Sequence, residues 1–334
     1  MKSAIVTGGA GFIGSHVVEE LLKKKFIVYV IDNLTGGRIE NIKHLLKNNN
    51  FKFIKKDIRS VKISNLKNLK QADYIFHFAG KGDIVPSINN PREYFETNVI
   101  GTINILELAR KLKIKKFLYA ASSSCYGIAK VPTNEKNKIS PLYPYASSKY
   151  QGEECTLHWS KVYNLPVISI RIFNAYGNRV KTTGAYGAAF GVFLKQKISK
   201  MPFTIVGDGN QKRDFLYVTD VAKAFILAAK SKYVNRVYNL GSGSPKTINY
   251  LIKLLDPNSK KIYLPFRPGE PKITWANIDK IKKELRWKPK VSFEKGVSFM
   301  LNNINYWKNA PLWNKSKIKQ ATKTWFKYMQ KYEK

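Results

Sequence analysis

Tyr145 and Lys149 stand four residues apart in YPYASSKYQGEECTLHWSKVY, a segment that reads as a helix. This spacing puts both side chains on one helical face, where an ammonium can stabilise a phenolate. An ordinary phenol, with a pKa near ~10, is a poor base at neutral pH. A neighbouring cation lowers it into working range, so that it can take a proton from an alcohol. Upstream, the apolar run FLYAA ends in Ser122, Ser123 and Ser124 of SSSCYG. A hydroxyl there is either a polar loop residue leaving a buried strand or a partner for the base.

A second constellation lies at the start of the chain, in TGGAGFIGSH. Gly8, Gly11 and Gly14, with Phe12 and Ile13 between them, sit between an apolar strand and an amphipathic helix. Glycines at that junction allow a tight turn and let a pyrophosphate approach backbone N–H groups at the helix N-terminus. Asp32 and Asn33 close the next apolar run, FIVYVID. A carboxylate there accepts hydrogen bonds from an adenosine ribose and repels a 2′-phosphate, which favours NAD over NADP, although Arg38 follows shortly after.

Both constellations need a scaffold that brings strand ends together. Further strands are expected near 51–56, 72–80, 116–122 and 165–173, separated by helix-length segments such as REYFETNVIGTINILELARKL. Apolar strands alternating with helices imply an α/β fold with a doubly wound parallel sheet. After about residue 175 the alternation gives way to glycine- and proline-rich loops with scattered helices, as expected of a smaller substrate-binding lobe. The run RVYNLGSG, 236–243, is expected to return to the main sheet. The division expected is 1–175, an interleaved lobe over 176–310, and a helical tail over 311–334.

Composition narrows the function classes. The chain has 334 residues, enough for about two domains. It has no signal-like start and no apolar run of the ~18–20 residues that a membrane helix needs, so a cytoplasmic protein is expected. Cys125 and Cys155 have no metal spacing, and no metal site is expected. Lysine and arginine outnumber aspartate and glutamate by 59 to 22, a formal charge of +37. Summed positive potential suits nucleic acid, an anionic membrane or a phosphorylated substrate. The absence of helix-turn-helix, zinc or RNP-like patterns argues against nucleic acid, and scattered lysines on surface helices account for most of the excess.

The motifs together resemble the extended short-chain dehydrogenase/reductase family, specifically its nucleotide-sugar 4-epimerase branch. The resemblance covers roughly residues 3–300. It rests on TGGAGFIGSH, Asp32-Asn33, Asp57-Ile58, HFAG at 77–80, Asn98 in NVIGT, SSSCYG, YPYASSK, RIFNAYG, GDGNQKRDFLYVTDV and RPGE. It implies a Rossmann-type fold, bound NAD, a UDP-sugar substrate and a homodimer built on segments 91–112 and 143–162. In its terms Asp57 and Ile58 touch the adenine. Phe78, Ala79, Gly80 and Asn98 line the cofactor, and Lys149 also holds the nicotinamide ribose. Ser122 is the catalytic hydroxyl, bridging the sugar O4 and Tyr145. Related 4,6-dehydratases carry an Asp-Glu pair after that position, and decarboxylases keep a glutamate. Ser123 and Ser124 cannot do such ionic work, so reversible oxidation at one carbon is what the residues support. The expected course is oxidation at C4, rotation of the 4-keto sugar and return of the hydride to its other face, in supplying precursors of cell-surface polysaccharide.

The resemblance also assigns the grip on the nucleotide. Asn174 and Arg213 contact the diphosphate, Thr204 and Val206 frame the uracil, and Arg267 and Glu270 hold phosphate and ribose. Thr274 aligns with the residue that gates the sugar's 2-substituent. A threonine leaves room, so UDP-N-acetylglucosamine is expected alongside UDP-glucose and UDP-galactose. UDP-glucuronate 4-epimerisation is one alternative, with Lys181, Thr182 and Thr183 as candidates to meet the carboxylate; a nucleotide-sugar dehydratase or dehydrogenase of the same family is the other. The aromatic, lysine-rich stretch from Tyr306 to Lys334 is expected to pack on the protein or a second subunit; an anionic membrane is its other candidate surface.

Overall fold

The computed structural model describes residues 1–62, 69, 72–180 and 189–332. The first strand, β1 (Ser3–Thr7), has all five residues buried, the signature of a strand covered on both faces. Its neighbours are β2 (Ile27–Asp32) and β4 (Tyr74–His77). Outward from β2 lies β3 (Phe51–Lys55); outward from β4 lie β5 (Lys116–Ser122), β6 (Val167–Ile172) and β11 (Arg236–Leu240). All six pairings are parallel, giving a seven-stranded sheet in the order β11-β6-β5-β4-β1-β2-β3. The expected Rossmann-type doubly wound sheet is therefore what the chain forms, with 236–240 returning to it.

Alternation along the strands feeds two separate cores. Ala4, Val6, Val28, Val30, Phe76 and Leu118 pack on one side with α1 (Phe12–Lys23) and α7 (Val218–Lys230). Ile5, Ile31, Ile75, Phe117 and Tyr119 pack on the other with α4 (Gly101–Lys111) and residues flanking α5 (Pro144–Tyr163). The strand order reverses at β1 and β4, and in such sheets ligands bind beyond the carboxyl ends at that switch point. Every sequence-identified motif of the first 175 residues follows one of those ends.

The segment 92–112 departs from the uninterrupted helix expected of it. A π-helical turn over Glu96–Ile100 joins α3 (Pro91–Phe95) to α4. Such a turn inserts an extra residue into the helical register and is frequent at functional sites. Here it carries Asn98, whose side chain reaches across to α5 and to the loop after β4.

The remaining residues form a third core around Phe190, Phe193, Phe203, Phe293 and Trp307. It is framed by α6 (Ala189–Ile198), α8 (Ile248–Leu255), α10 (Phe293–Asn302) and the parallel pair β8 (Phe203–Val206) and β13 (Lys261–Leu264). Two short pairs lie alongside: β7 (Ala175–Tyr176) runs parallel to β10 (Leu216–Tyr217), and β9 (Lys212–Arg213) antiparallel to β12 (Lys246–Thr247). The short helix α9 (Asp279–Leu285) packs beside β11. The tail folds as expected onto the protein: α11 (Lys315–Met329) buries Ile318, Thr322, Trp325 and Met329 on one face. Among the described residues no helix is long and apolar enough to cross a membrane, and no cluster of metal-ligating side chains occurs.

Candidate active site

One cavity of about 1060 Å³ runs from the glycine turn after β1 to α11. At its cofactor end the turn is held in a shape that side chains would obstruct. Gly8 has φ +68°, and a Cβ there would meet the Ala79 nitrogen at 2.6 Å. A Cβ at Gly14 would overlap the Gly8 carbonyl oxygen. Gly11, Phe12 and Ile13 also face the cavity. Asp32 secures the turn by accepting from the Ala10 N–H at 3.0 Å and the Leu34 N–H at 2.8 Å. Burial pushes its carboxyl up, against those two bonds.

Beyond Asp32, the Asn33 amide donates to Asp57 at 2.8 Å, and the Arg59 guanidinium holds the Asp57 carboxyl down to about 2. Ile58 lies beside them in the wall. Arg38 is turned away, 5.3 Å over the Tyr306 ring and 3.5 Å from Glu40, and does not line the cavity. Phe78, Ala79 and Gly80 complete this wall. The cradle fits a dinucleotide: a glycine turn with no room for a Cβ, an acidic strand end, and Gly80 against Asn98 and the Lys149 ammonium.

Asn98 braces the wall from behind. It does not line the cavity but stands behind the wall, 1% exposed. Its Oδ1 accepts from the Lys81 N–H at 2.8 Å, and its amide donates to the Lys81 carbonyl at 3.0 Å and to Ser148 Oγ at 2.9 Å. A fully buried amide with three partners inside the protein braces the Gly80–Lys81 loop and has little left for a ligand.

At the reactive end the Tyr145 hydroxyl donates to Ser122 Oγ at 3.1 Å, and Ser122 Oγ is 2.7 Å from Ser124 Oγ. The Ser122 side chain also accepts from the Ser124 N–H, capping the 3-10 turn Ser123–Tyr126 and fixing where β5 delivers its hydroxyl. Ser123 lines the cavity beside them. Lys149 is buried with its ammonium 4.5 Å from the Tyr119 ring centroid, and burial lowers it to about 8. The Tyr145 phenol is acted on from two sides by the protein's own groups. Burial pushes it up, and the hydrogen bonds to Ser122 and Ser124 oppose that without reversing it.

Behind this cluster a buried relay sets one histidine tautomer. Thr102 Oγ1 donates to the Asn98 carbonyl at 2.7 Å, so it accepts from His77 Nε2 at 2.9 Å. His77 Nδ1 then accepts from Thr7 Oγ1 at 2.6 Å. Burial, with the Lys149 charge, depresses His77 to about 3. A histidine held neutral contributes stability above its unfolded pKa of ~6.5 that is lost as pH falls toward its folded value. Between those limits the loss is about 1.4 kcal/mol per pH unit. His77→Gln is expected to be less stable at pH 7 yet to lose about 2–3 kcal/mol less between pH 6.5 and 4.5. Urea denaturation at several pH values measures this, and parallel curves for the two proteins would refute it.

The substrate half is assembled from distant parts of the chain. Thr274 donates to Asn174 Oδ1 at 2.6 Å and accepts from the Asp214 N–H at 3.2 Å. Arg213 donates to Glu270 at 2.7 Å, and Arg267 lies 3.6 Å from the other Glu270 oxygen. Burial raises the Glu270 carboxyl, but the two guanidinium groups outweigh it and hold it low. Thr204 and Val206 line the same region, with the Thr204 hydroxyl accepting from Gln196 at 2.8 Å. Two buried oxygens on this wall have no hydrogen-bond partner, Glu270 Oε2 and Gln211 Oε1. Such orphans are costly unless a ligand satisfies them. Lys181, Thr182 and Thr183 lie outside the described residues. Sequence reasoning missed Gln211, Tyr143 and Trp325 as wall residues; the aromatic pair lies 182 positions apart, and no local pattern links them.

This chain belongs to the extended short-chain dehydrogenase/reductase family of nucleotide-sugar epimerases and dehydratases: the family model described as GDP-mannose 4,6 dehydratase matches residues 5–300. Three solved structures illustrate the likeness. A UDP-glucose 4-epimerase from Thermotoga maritima, with UDP-glucose, is 33% identical, covers 91% of this chain and 99% of its own, and superposes with a TM-score of 0.85. A UDP-glucuronic acid 4-epimerase from Bacillus cereus, with UDP-glucuronic acid and NAD, is 32% identical over the same shares, TM-score 0.85. A UDP-N-acetylglucosamine 4-epimerase from Methanobrevibacter ruminantium, with UDP-N-acetylmuramic acid, is 32% identical over 90% of this chain and 99% of its own, TM-score 0.83.

Proposed function

We propose that the chain is an NAD-dependent 4-epimerase of a UDP-sugar, acting on UDP-glucose and UDP-galactose and on their N-acetylated counterparts. The observation that carries this reading is the Tyr145–Ser122 hydrogen bond of 3.1 Å, in a site where Ser123 and Ser124 stand in place of an acid and a base. Bound NAD supplies a hydride acceptor that becomes the donor when the sugar is reduced again. The chain supplies the rest. Tyr145 takes the proton of the sugar 4-OH and later returns one to O4, with Ser122 orienting that oxygen. Lys149 holds positive charge beside the forming phenolate. Positions 123 and 124 hold hydroxyls, which cannot serve as the carboxyl acid and base that elimination of water from the neighbouring carbons needs.

Arg213 and Arg267 suit the diphosphate, since a guanidinium fork matches phosphate oxygens. Glu270 Oε2, which accepts no hydrogen bond, suits a ribose hydroxyl. Thr274 has its hydroxyl committed to Asn174 and Asp214, so toward the sugar it presents a small side chain that leaves room for an acetamido group. UDP-glucuronate is the second reading, favoured by the Bacillus cereus relative that acts on it. A cell-surface polysaccharide is the product class that such precursors serve, and a homodimer is the assembly proposed with them. Purified protein incubated without added cofactor with UDP-glucose, UDP-N-acetylglucosamine and UDP-glucuronate, with products read by NMR, tests the assignment. Appearance of a 4-epimer is expected. Release of water or carbon dioxide instead would overturn it, and exclusion of the acetylated sugar would refute the reading of Thr274.

A further inference from the structure

The tail beyond residue 300 lies outside the family match, yet it reaches the reactive end of the cavity. Trp325 of α11 is 2% exposed and lines the wall. The Arg267 guanidinium sits 5.8 Å above its ring. Its Nε1–H donates to the Pro268 carbonyl at 2.8 Å, tying it to the turn that carries Arg267 and Glu270. Gly269 in that turn has φ +73°, and a Cβ there would lie 2.8 Å from the Met329 methyl of the same helix. Trp325 also lies 5.9 Å from the Tyr143 ring, which stacks at 6.3 Å and 11° on Tyr145. Val85 of α2 (Ile84–Asn89) closes the cluster.

We propose that Trp325 is a positioning residue for the nucleoside diphosphate part of the substrate, fixing Arg267 over its indole face and Tyr143 against Tyr145. The inference rests on the nucleotide-sugar reading above. Arg267 otherwise has Glu270 as a competing partner 3.6 Å away, and a guanidinium drawn flat onto that carboxylate would present less of its fork to a phosphate. An indole face attracts the same cation through its π face rather than through N–H bonds, so it holds the guanidinium on the cavity wall that Arg267 lines. The same ring spans from the phosphate grip to the aromatic stack under the proton-transfer group, joining the two halves of the site.

The test is the affinity of the NAD-containing protein for UDP alone, by calorimetry, in wild type, Trp325→Phe, Trp325→Leu, Arg267→Ala and the double variant Trp325→Leu/Arg267→Ala. Leucine keeps apolar volume without a π face and phenylalanine keeps the face without the N–H, so the pair separates cation holding from mere packing. Trp325→Leu is expected to weaken UDP about tenfold and to raise KM for the sugar nucleotide more than it lowers kcat, with Trp325→Phe recovering most of the loss. The double variant is expected to bind no more weakly than Arg267→Ala. Equal affinity in Trp325→Leu and wild type, additive losses in the double variant, or equal losses for Leu and Phe would each overturn the proposal. Failure of wild type to bind UDP would instead overturn the nucleotide reading, and this inference with it.

Discussion

Tyr145→Phe is expected to lower turnover of the UDP-sugar by about 10²–10⁴-fold while the purified protein keeps its NAD and its fold. The change removes one oxygen. The ring remains to stack on Tyr143, and Ser122 keeps its 2.7 Å contact with Ser124, so no polar group is left buried without a partner. The stability cost is therefore that of one net hydrogen bond, about 1 kcal/mol. What is lost is the only described ionisable group that touches Ser122 Oγ. Lys149 cannot substitute: its ammonium lies over the Tyr119 ring, and a protonated lysine accepts no proton. Because burial holds the phenol above its ordinary value, its basic form grows as pH rises, whereas Lys149 in the free site loses its charge near pH 8. Wild-type kcat/KM is accordingly expected to climb from pH 6 toward pH 8 and then flatten or fall. NMR of the product sugar and cofactor absorbance measure both parts. Turnover in the Phe variant within tenfold of wild type would remove Tyr145 from the proton transfer.

The parts of this site legible in sequence are those made by local rules. A glycine turn announces itself because Gly8 and Gly14 have no room for a Cβ. Tyr145 and Lys149 share a face because α5 is a helix, and Ser122 meets them because parallel strands deliver their carboxyl ends to one edge. The α/β architecture follows from strand and helix alternation for the same reason. What the sequence hides is made by packing between remote segments. The Thr274–Asn174 bond joins residues 100 positions apart, and the π-turn at Glu96–Ile100 has no residue signature that distinguishes it from α-helix. The motif singles out Asn98 but not its three internal partners, which brace the Gly80–Lys81 loop. Helical spacing shows which cation can neighbour Tyr145, but not the burial that pushes its phenol up nor the Ser122 and Ser124 bonds that oppose it.

Glu153→Ala is expected to destabilise the protein by about 3–5 kcal/mol. Glu153 is 1% exposed and accepts from Arg171 Nε at 3.0 and 3.1 Å and from Ser169 Oγ at 2.8 Å. Arg171, 5% exposed, also donates to the Tyr126 hydroxyl at 2.7 Å, and Tyr126 donates to Asn239 at 2.8 Å. Alanine leaves the Arg171 charge buried without a counter-ion, and that penalty exceeds the packing forfeited by shortening the side chain. A paired replacement, Glu153→Met with Arg171→Met, removes both charges together and is expected to recover much of the loss. The network has a functional side. Glu153 lies four residues beyond Lys149 on α5, Arg171 lies on β6, and Tyr126 ends the turn that begins at Ser123. One ion pair thus joins the helix carrying the base to the turn after Ser122, the two parts that meet in the 3.1 Å Tyr145–Ser122 contact. Glu153→Ala, assayed at a temperature where it remains folded, is expected to lose turnover while keeping NAD. Chemical denaturation measures the stability, and a loss below about 1 kcal/mol would mean that Arg171 finds water or another acceptor on its own.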